Sequence, residues 1–287
     1  MPKVIHELPV VLTSFGYRPE YVEEMEGMLI SIKEHHPNWL FVIGRGPLAG
    51  FDLPTLEVES PAGKCSWSLP VPFNFDDTEN DFLKIVMMKA WWIAQVWHSF
   101  AHLAEANRNR MIWTDADARF NGKLDIELDP EGETLAAPWW HDVEKRGFDH
   151  ICTGLMLFQG ARRGPIEKIL DEWSARCLGF IKKMPPQIKP WPCDEQEVLT
   201  EMLQGLPGSD FCSLELDSDK YIGLPTHGGK EIIGRGLVDH WFMSAKMRLP
   251  EHRGRNWPPP EEYRRRAPVG TPIPNKNWNI PEEEPAR

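Results

Sequence analysis

The chain has 287 residues, 41% of them hydrophobic and 26% charged, with a formal net charge of −11. This length suits one large domain or two small ones, and the composition is that of a folded soluble protein. The acidic balance argues against nonspecific nucleic-acid binding as the main task. Five scattered cysteines without a Cys-x-x-Cys pair (Cys65, Cys152, Cys177, Cys193, Cys212) point to reduced thiols in a cytoplasm and away from a structural zinc. The first residues, Met-Pro-Lys-Val-Ile-His-Glu, lack the apolar core of a signal peptide.

Residues 9–13 read as a buried strand and residues 14–19 as a turn. Residues 20–35 place Met25, Met28, Leu29 and Ile32 at helical spacing, with glutamates on the other face, and Pro37 ends that helix. Residues 39–43 and 55–58 are the next strands, so the order is β-α-β, which implies a parallel sheet with a right-handed crossover. Gly44-Arg45-Gly46-Pro47-Leu48-Ala49 fits Gly-x-Gly-x-x-Ala. The dinucleotide fingerprint needs a helix there, which Pro47, Gly50 and Pro54 oppose, so the stretch is a turn. Residues 60–80 are a long polar loop. Residues 81–107 form a long helix, apolar almost all round and therefore sandwiched between layers. Its most apolar part, residues 90–104, contains Gln95, His98 and His102 and is too short to span a membrane. His98 and His102 lie one turn apart without the glutamate of a metalloprotease motif, so they read as packed or solvent-facing.

Strands follow at 109–114, 134–137 and 151–158, then an amphipathic helix at 165–180 with Pro165 in its first turn. A proline-rich loop (184–192), a helix (194–203) and late strands (211–216, 220–222) complete a domain of residues 1–249. Residues 250–287 carry nine prolines and read as an extended tail. Between Lys246 and Arg266 there are seven basic residues and three acids, which make either a solvated linker or a contact for an anion.

The sharpest signal is Ile112-Trp113-Thr114-Asp115-Ala116-Asp117. In an extended backbone residues i and i+2 point to the same side, so Asp115 and Asp117 aim at one point past a strand end. Converging carboxylates repel unless a cation lies between them. Oxygen ligands favour Mg²⁺ or Mn²⁺ over zinc, and such an ion can hold a diphosphate. The plainer reading is a solvated turn capped by its own aspartates. The preceding buried helix and strand favour the crevice at the carboxyl edge of an open α/β sheet.

Asp194, Glu195 and Glu197 open a helix, where Asp194 is a natural N-cap and acids suit the dipole. The functional alternative is that Asp194 or Glu195 faces a substrate. Gly154, inside an apolar strand, marks a bulge or a close approach by another group. Trp139-Trp140-His141-Asp142 suits a sugar-binding wall or plain core packing.

The order of these stretches resembles the GT-A fold glycosyltransferases, the nucleotide-diphospho-sugar transferase group. The residues that carry the resemblance are a strand ending in Thr13-Ser14, a helix bearing Lys84 and Lys89, and Asp115-Ala116-Asp117. Cys152-Thr153-Gly154 before an apolar strand, Cys193-Asp194-Glu195-Gln196, and Asp239-His240-Trp241 with Lys246 complete it. It spans residues 9 to about 248. The resemblance implies an α/β, Rossmann-like fold with a mixed, mainly parallel sheet flanked by helices.

It further implies that Asp115, Asp117 and His240 hold Mn²⁺ or Mg²⁺, with His227 the rival third ligand. Thr13, Ser14, Lys84, Asp115, Thr153, Gly154 and Lys246 would lie against the nucleotide sugar, a UDP-sugar. Asp194 or Glu195 would serve catalysis, the acid directly before Gln196 favouring Glu195. The late His-and-Lys segment tilts toward retention of anomeric configuration. The acceptor is a glycan or small hydroxyl compound, with a hydroxymethylated DNA base as the alternative suggested by the basic stretch. Paired carboxylates also occur in nucleotidyltransferases and phosphatases, but Ser14-Phe15-Gly16-Tyr17 makes a poor phosphate loop. A noncatalytic carbohydrate-binding protein would not need the aspartate pair.

Overall fold

Side chains of the central strands alternate between two cores, so both faces of the sheet are covered. The computed structural model describes residues 2–17, 19–47, 55–59, 67–73, 81–103, 108–140, 150–183, 194–206, 211–221 and 237–240. The strands are β1 (Lys3–Val4), β2 (Val11–Gly16), β3 (Leu40–Arg45), β4 (Thr55–Glu59), β5 (Trp67–Pro70), β6 (Asn109–Thr114), β7 (Ala118–Phe120), β8 (Glu127–Leu128), β9 (Thr134–Trp140), β10 (His150–Ile151), β11 (Leu155–Gly160), β12 (Cys212–Leu216) and β13 (Val238–His240). The helices are α1 (Pro19–His35), α2 (Asp81–Ser99), α3 (Pro165–Lys183), α4 (Glu195–Gln204) and α5 (Ser218–Tyr221). His227, Lys246, the tail at 250–287 and the 184–192 loop lie outside the described residues.

The main sheet has nine strands in the order β10-β9-β11-β6-β2-β3-β4-β5, with β12 also paired to β9. It is mixed. Strands β2, β3, β5, β6, β9 and β12 run one way, and β4, β10 and β11 run the other. At its centre β2 is parallel to both β3 and β6. Strands β2, β6 and β11 are buried along their whole length, as expected of strands covered on both faces. Val11, Phe15, Met111, Trp113, Met156 and Phe158 face the core under α2 and α3. Leu12, Ile112, Leu155 and Leu157 face the core under α1. The strict two-residue alternation fixes the register, since a slip of one would exchange the two faces.

Helix α2 is the sandwiched one. Met87, Met88, Trp92, Ile93 and Trp97 are fully buried or nearly so. It is tied to α3 by Trp97 Nε1, which donates to Glu167 Oε2 at 3.1 Å, and by His98 Nε2 to Asp171 Oδ1 at 2.7 Å. The histidine is thus an exposed inter-helix partner. No described helix is long and apolar enough to cross a membrane.

Several expectations change. Residues 14–16, expected in a turn, belong to β2, and the helix expected at 81–107 ends at Ser99. Strand β4 does not extend the parallel run but returns antiparallel to β3. The link between them is too short for a crossover helix, and only antiparallel strands can be joined so briefly. The supposed loop at 60–80 contains β5, an edge strand, where Pro70 is tolerated because one side of the strand has no partner among the described residues. The strand expected at 151–158 is split by a turn at Cys152–Gly154. The strand expected at 220–222 is helical at Lys220 and Tyr221, because Asp217 accepts the amides of both. No helix opens at Gly46 or Pro47, in keeping with a turn there.

Gly16 closes β2 against α1. A Cβ there would lie 2.7 Å from Val22 N and 2.8 Å from Tyr21 C, backbone atoms that cannot rotate away. Gly16→Ala is expected to lower the unfolding free energy by about 1–3 kcal/mol through overpacking, measured as a lower urea midpoint at unchanged slope.

Candidate active site

The first turn after β6 carries the aspartates. Thr114 is the last strand residue, and the Ala118 amide donates to Asp115 O at 3.1 Å, so Asp115–Ala118 is a tight turn and not an extended continuation. Trp113 and Asp115 share a side as i and i+2 should, and Trp113 Nε1 donates to Asp115 Oδ1 at 3.2 Å. Because Leu155 is opposite Thr114 across β6–β11, the Cys152–Gly154 turn lies beside the aspartate turn. The Asp115 amide donates to Gly154 O at 3.0 Å. Gly154 thus lies in the turn that breaks the strand, its carbonyl taken by the Asp115 amide.

The third contribution is the start of α4. Asp194 is its N-cap, with Oδ1 accepting from the amides of Gln196 (3.0 Å) and Glu197 (3.1 Å), and Glu197 returns the bond to the Asp194 amide. This capping box consumes Asp194 and turns Glu195 inward. Glu195 is 1% exposed. Gln196 Oε1 accepts from the Thr153 amide at 3.2 Å, locking the helix start to the turn.

One ammonium joins the three pieces. Lys89, from the middle of α2, lies 2.9 Å from Asp115 Oδ1 and 2.8 Å from Glu195 Oε1. It also donates to Thr153 Oγ1 at 3.1 Å, and that hydroxyl donates to Glu195 Oε1 at 2.7 Å. All three ammonium protons therefore have acceptors. Trp113 Nε1 also donates to Thr153 O at 3.0 Å, and its ring lies 5.7 Å from the ammonium. Glu195 Oε2 is buried and has no hydrogen-bond partner among the described residues. Asp115 is more open, its side chain 33% exposed.

The electrostatics follow from burial. Desolvation opposes the charge on Lys89, but Asp115 and Glu195 outweigh it and hold the ammonium protonated above its ordinary range. Burial pushes Glu195 up to about 7 against the pull of Lys89, with Asp194 pushing the same way as burial. Burial likewise raises the Cys152 thiol to about 12, which leaves it inert.

The remaining candidates fall as follows. Asp117 is half-buried in the same turn as Asp115. The backbone of His240 is opposite Ala118 in the β13–β7 pair, one strand away from the residue after Asp117. That strand is anchored by the Asn121 amide on Leu237 O and the Leu237 amide on Lys220 O. Thr13 is fully buried; its hydroxyl donates to Val42 O at 2.7 Å and accepts from Trp92 Nε1 at 2.8 Å. Ser14 is fully buried in β2, and its hydroxyl has no partner among the described residues. Lys84 is buried on α2 and appears in none of the Lys89 contacts given above. A concavity of about 550 Å³ between α3 and α4, lined by Ile169, Met202 and Phe211, contains none of these residues.

The lysine at the centre is therefore Lys89, with Trp113 as its indole counterpart. Both had a signal in the sequence. A lone cation amid Met87, Met88, Ala90 and Trp91 on an all-round apolar helix has to find carboxylates.

No protein-family model matches the chain, and no curated protein does. Among solved structures it is similar to a glycosyltransferase involved in the glycosylation of the major capsid of PBCV-1, at 13% identity and a TM-score of 0.44, over 81% of this chain and 94% of that one. It is also similar to the galactosyltransferase LgtC in complex with donor and acceptor sugar analogs, at 13% identity and 0.47, over 90% and 94%. A third similar structure is apo glycosyltransferase GlyE of Streptococcus pneumoniae TIGR4, at 13% and 0.35, over 72% and 45%.

The sign of the pH effect at Glu195 can be worked out. Its folded value of about 7 exceeds the ordinary 4.5. The native state keeps a proton that the unfolded chain releases between those values. The stability this contributes is complete below the lower value and lost as pH rises through the upper one. Glu195→Gln has no such proton. Its urea midpoint should fall less than that of the wild type from about pH 5 to about pH 8, while parallel curves would contradict a buried, proton-holding Glu195.

Proposed function

We propose that the protein is a metal-dependent glycosyltransferase. It moves a sugar from a nucleotide-diphosphate sugar, a UDP-sugar, to a hydroxyl of a glycan or small-molecule acceptor. The observation that carries this reading is the meeting of Asp115 and Glu195 on the buried Lys89 ammonium, at the carboxyl ends of parallel strands β2 and β6. Glycosyl transfer needs negative charge offset on the leaving diphosphate and positive charge offset at the anomeric carbon. A partly exposed aspartate turn beside a buried glutamate supplies a place for each.

The donor set suits a hard divalent ion. Both described bonds to Asp115 fall on Oδ1, so its carboxylate is oriented by the protein while staying one-third exposed. Asp115, Asp117 and His240 would hold Mn²⁺ or Mg²⁺, which when bound offsets charge on the diphosphate. Asp115 would also meet the ribose, and Thr153 and Gly154 would border the sugar. Lys246 would neutralise the leaving diphosphate.

Of the two acids at the start of α4, Asp194 is engaged as a cap, so the catalytic part falls to Glu195. Glu195 would stabilise charge at the anomeric carbon, with retention of configuration; its Oε2 is buried and has no partner among the described residues. A phosphate cradle of the nucleotidyltransferase kind would need an open Gly16. Its Cα hydrogens face the backbone of Tyr21 and Val22 instead.

Asp115→Ala and Asp117→Ala should each reduce Mn²⁺-dependent nucleotide-sugar turnover by at least about 100-fold, assayed as UDP release across a panel of UDP-sugars. Undiminished turnover in either variant would remove the metal assignment.

A further inference from the structure

We propose that Lys89 is a positioning residue for the transfer reaction: its charge is shared by Asp115 and Glu195 and orients the two together. The proposal rests on the reading of the site as a glycosyltransferase site. Nothing in the chemistry of the donor requires the two carboxylates to share a cation. The protein imposes the sharing by sending Lys89 from α2 into the gap between two other elements.

The geometry makes the sharing selective. Lys89 and Trp113 both take Oδ1 of Asp115 (2.9 and 3.2 Å), and Lys89 and Thr153 both take Oε1 of Glu195 (2.8 and 2.7 Å). Each carboxylate is thus gripped by one oxygen, and its rotation about the side-chain axis is fixed. Asp115 stays one-third exposed toward the outside, while Glu195 Oε2 is buried.

The charged or titratable neighbours of Glu195 are Lys89 from α2, Asp115 from the turn after β6, Asp194 from its own N-cap and Cys152 from the facing turn. Lys89 is the single cation among them. Without it, burial and Asp194 would act on Glu195 against the Thr153 hydroxyl alone, pushing the carboxyl further up.

The test compares wild type, Lys89→Met, Lys89→Arg, Glu195→Gln and Lys89→Met/Glu195→Gln in the full chain. Two readouts are taken. One is the Glu195 carboxyl midpoint by ¹³C NMR in metal-free protein, the resonance being the one that Glu195→Gln removes. The other is kcat and KM for the UDP-sugar with Mn²⁺.

Lys89→Met should raise the Glu195 midpoint by about one unit or more. It should lower kcat by about 100-fold, as misplacing a reacting group does, with KM within about threefold. The double variant should lose less than the product of the two single losses, because the lysine acts in part through the glutamate. Lys89→Arg should keep the midpoint within about half a unit of wild type, and it decides the matter if Lys89→Met does not fold.

An unmoved midpoint in Lys89→Met, a midpoint shifted by more than a unit in Lys89→Arg, or multiplicative losses in the double variant would each overturn the proposal. Wild-type protein that turns over no nucleotide sugar, with the midpoint still moved by Lys89→Met, would overturn the proposed reaction and uphold the coupling of Lys89 to Glu195.

Discussion

A buried ammonium shared by two carboxylates organises this molecule. An ion pair taken out of water is stabilising only when every polar group in it is matched, and removing one partner of such a pair costs about 3–5 kcal/mol. The Lys89 ammonium is matched by acceptors from three different elements, the turn after β6, the turn before β11 and the first residue of α4, while Glu195 Oε2 has no partner among the described residues. Those elements are fixed relative to one another by the same bonds that satisfy the charge. The site is therefore a structural knot as well as a place for chemistry, and the two descriptions have a common physical cause.

The sheet delivers the pieces to that point. Strands β2 and β6 run parallel, β6 ending level with Ser14 and β2 running on to Gly16, while β11 runs back from the same edge, so its preceding turn meets the β6 turn. Buried polar side chains along the strands are bonded there, Thr13 to Val42 O and Arg110 to Gln159 Oε1. At the strand ends α2 passes close enough for one long side chain to reach. Lys89 can do so because its aliphatic stem is apolar and packs among Met and Trp neighbours while only the tip is charged.

Much of this was legible in the sequence, unevenly. The helices at 19–35, 81–99, 165–183 and 195–204 were visible because each has an apolar face or body several turns long. Asp115–Asp117, Thr153–Gly154 and Glu195 were visible because each interrupts an apolar pattern at an element's end. Edge strand β5 was not visible, since a strand paired on one side need not show alternation. The choice between Asp194 and Glu195 was not visible either, because both are acids at a helix start. Only the capping bonds, which take up Asp194, separate them. Lys89 was passed over in favour of Lys84 because helical spacing gives the side of a helix but not the depth of the cleft beyond it.

The central claim is that the aspartate turn and the buried glutamate together form a divalent-dependent site for a nucleotide diphosphate. Isothermal titration of UDP into the full chain, with and without Mn²⁺, tests it most directly. The account predicts saturable UDP binding that needs Mn²⁺ and is lost in the Asp115→Ala variant. UDP binding of equal strength without the ion, or no binding with it, would contradict it.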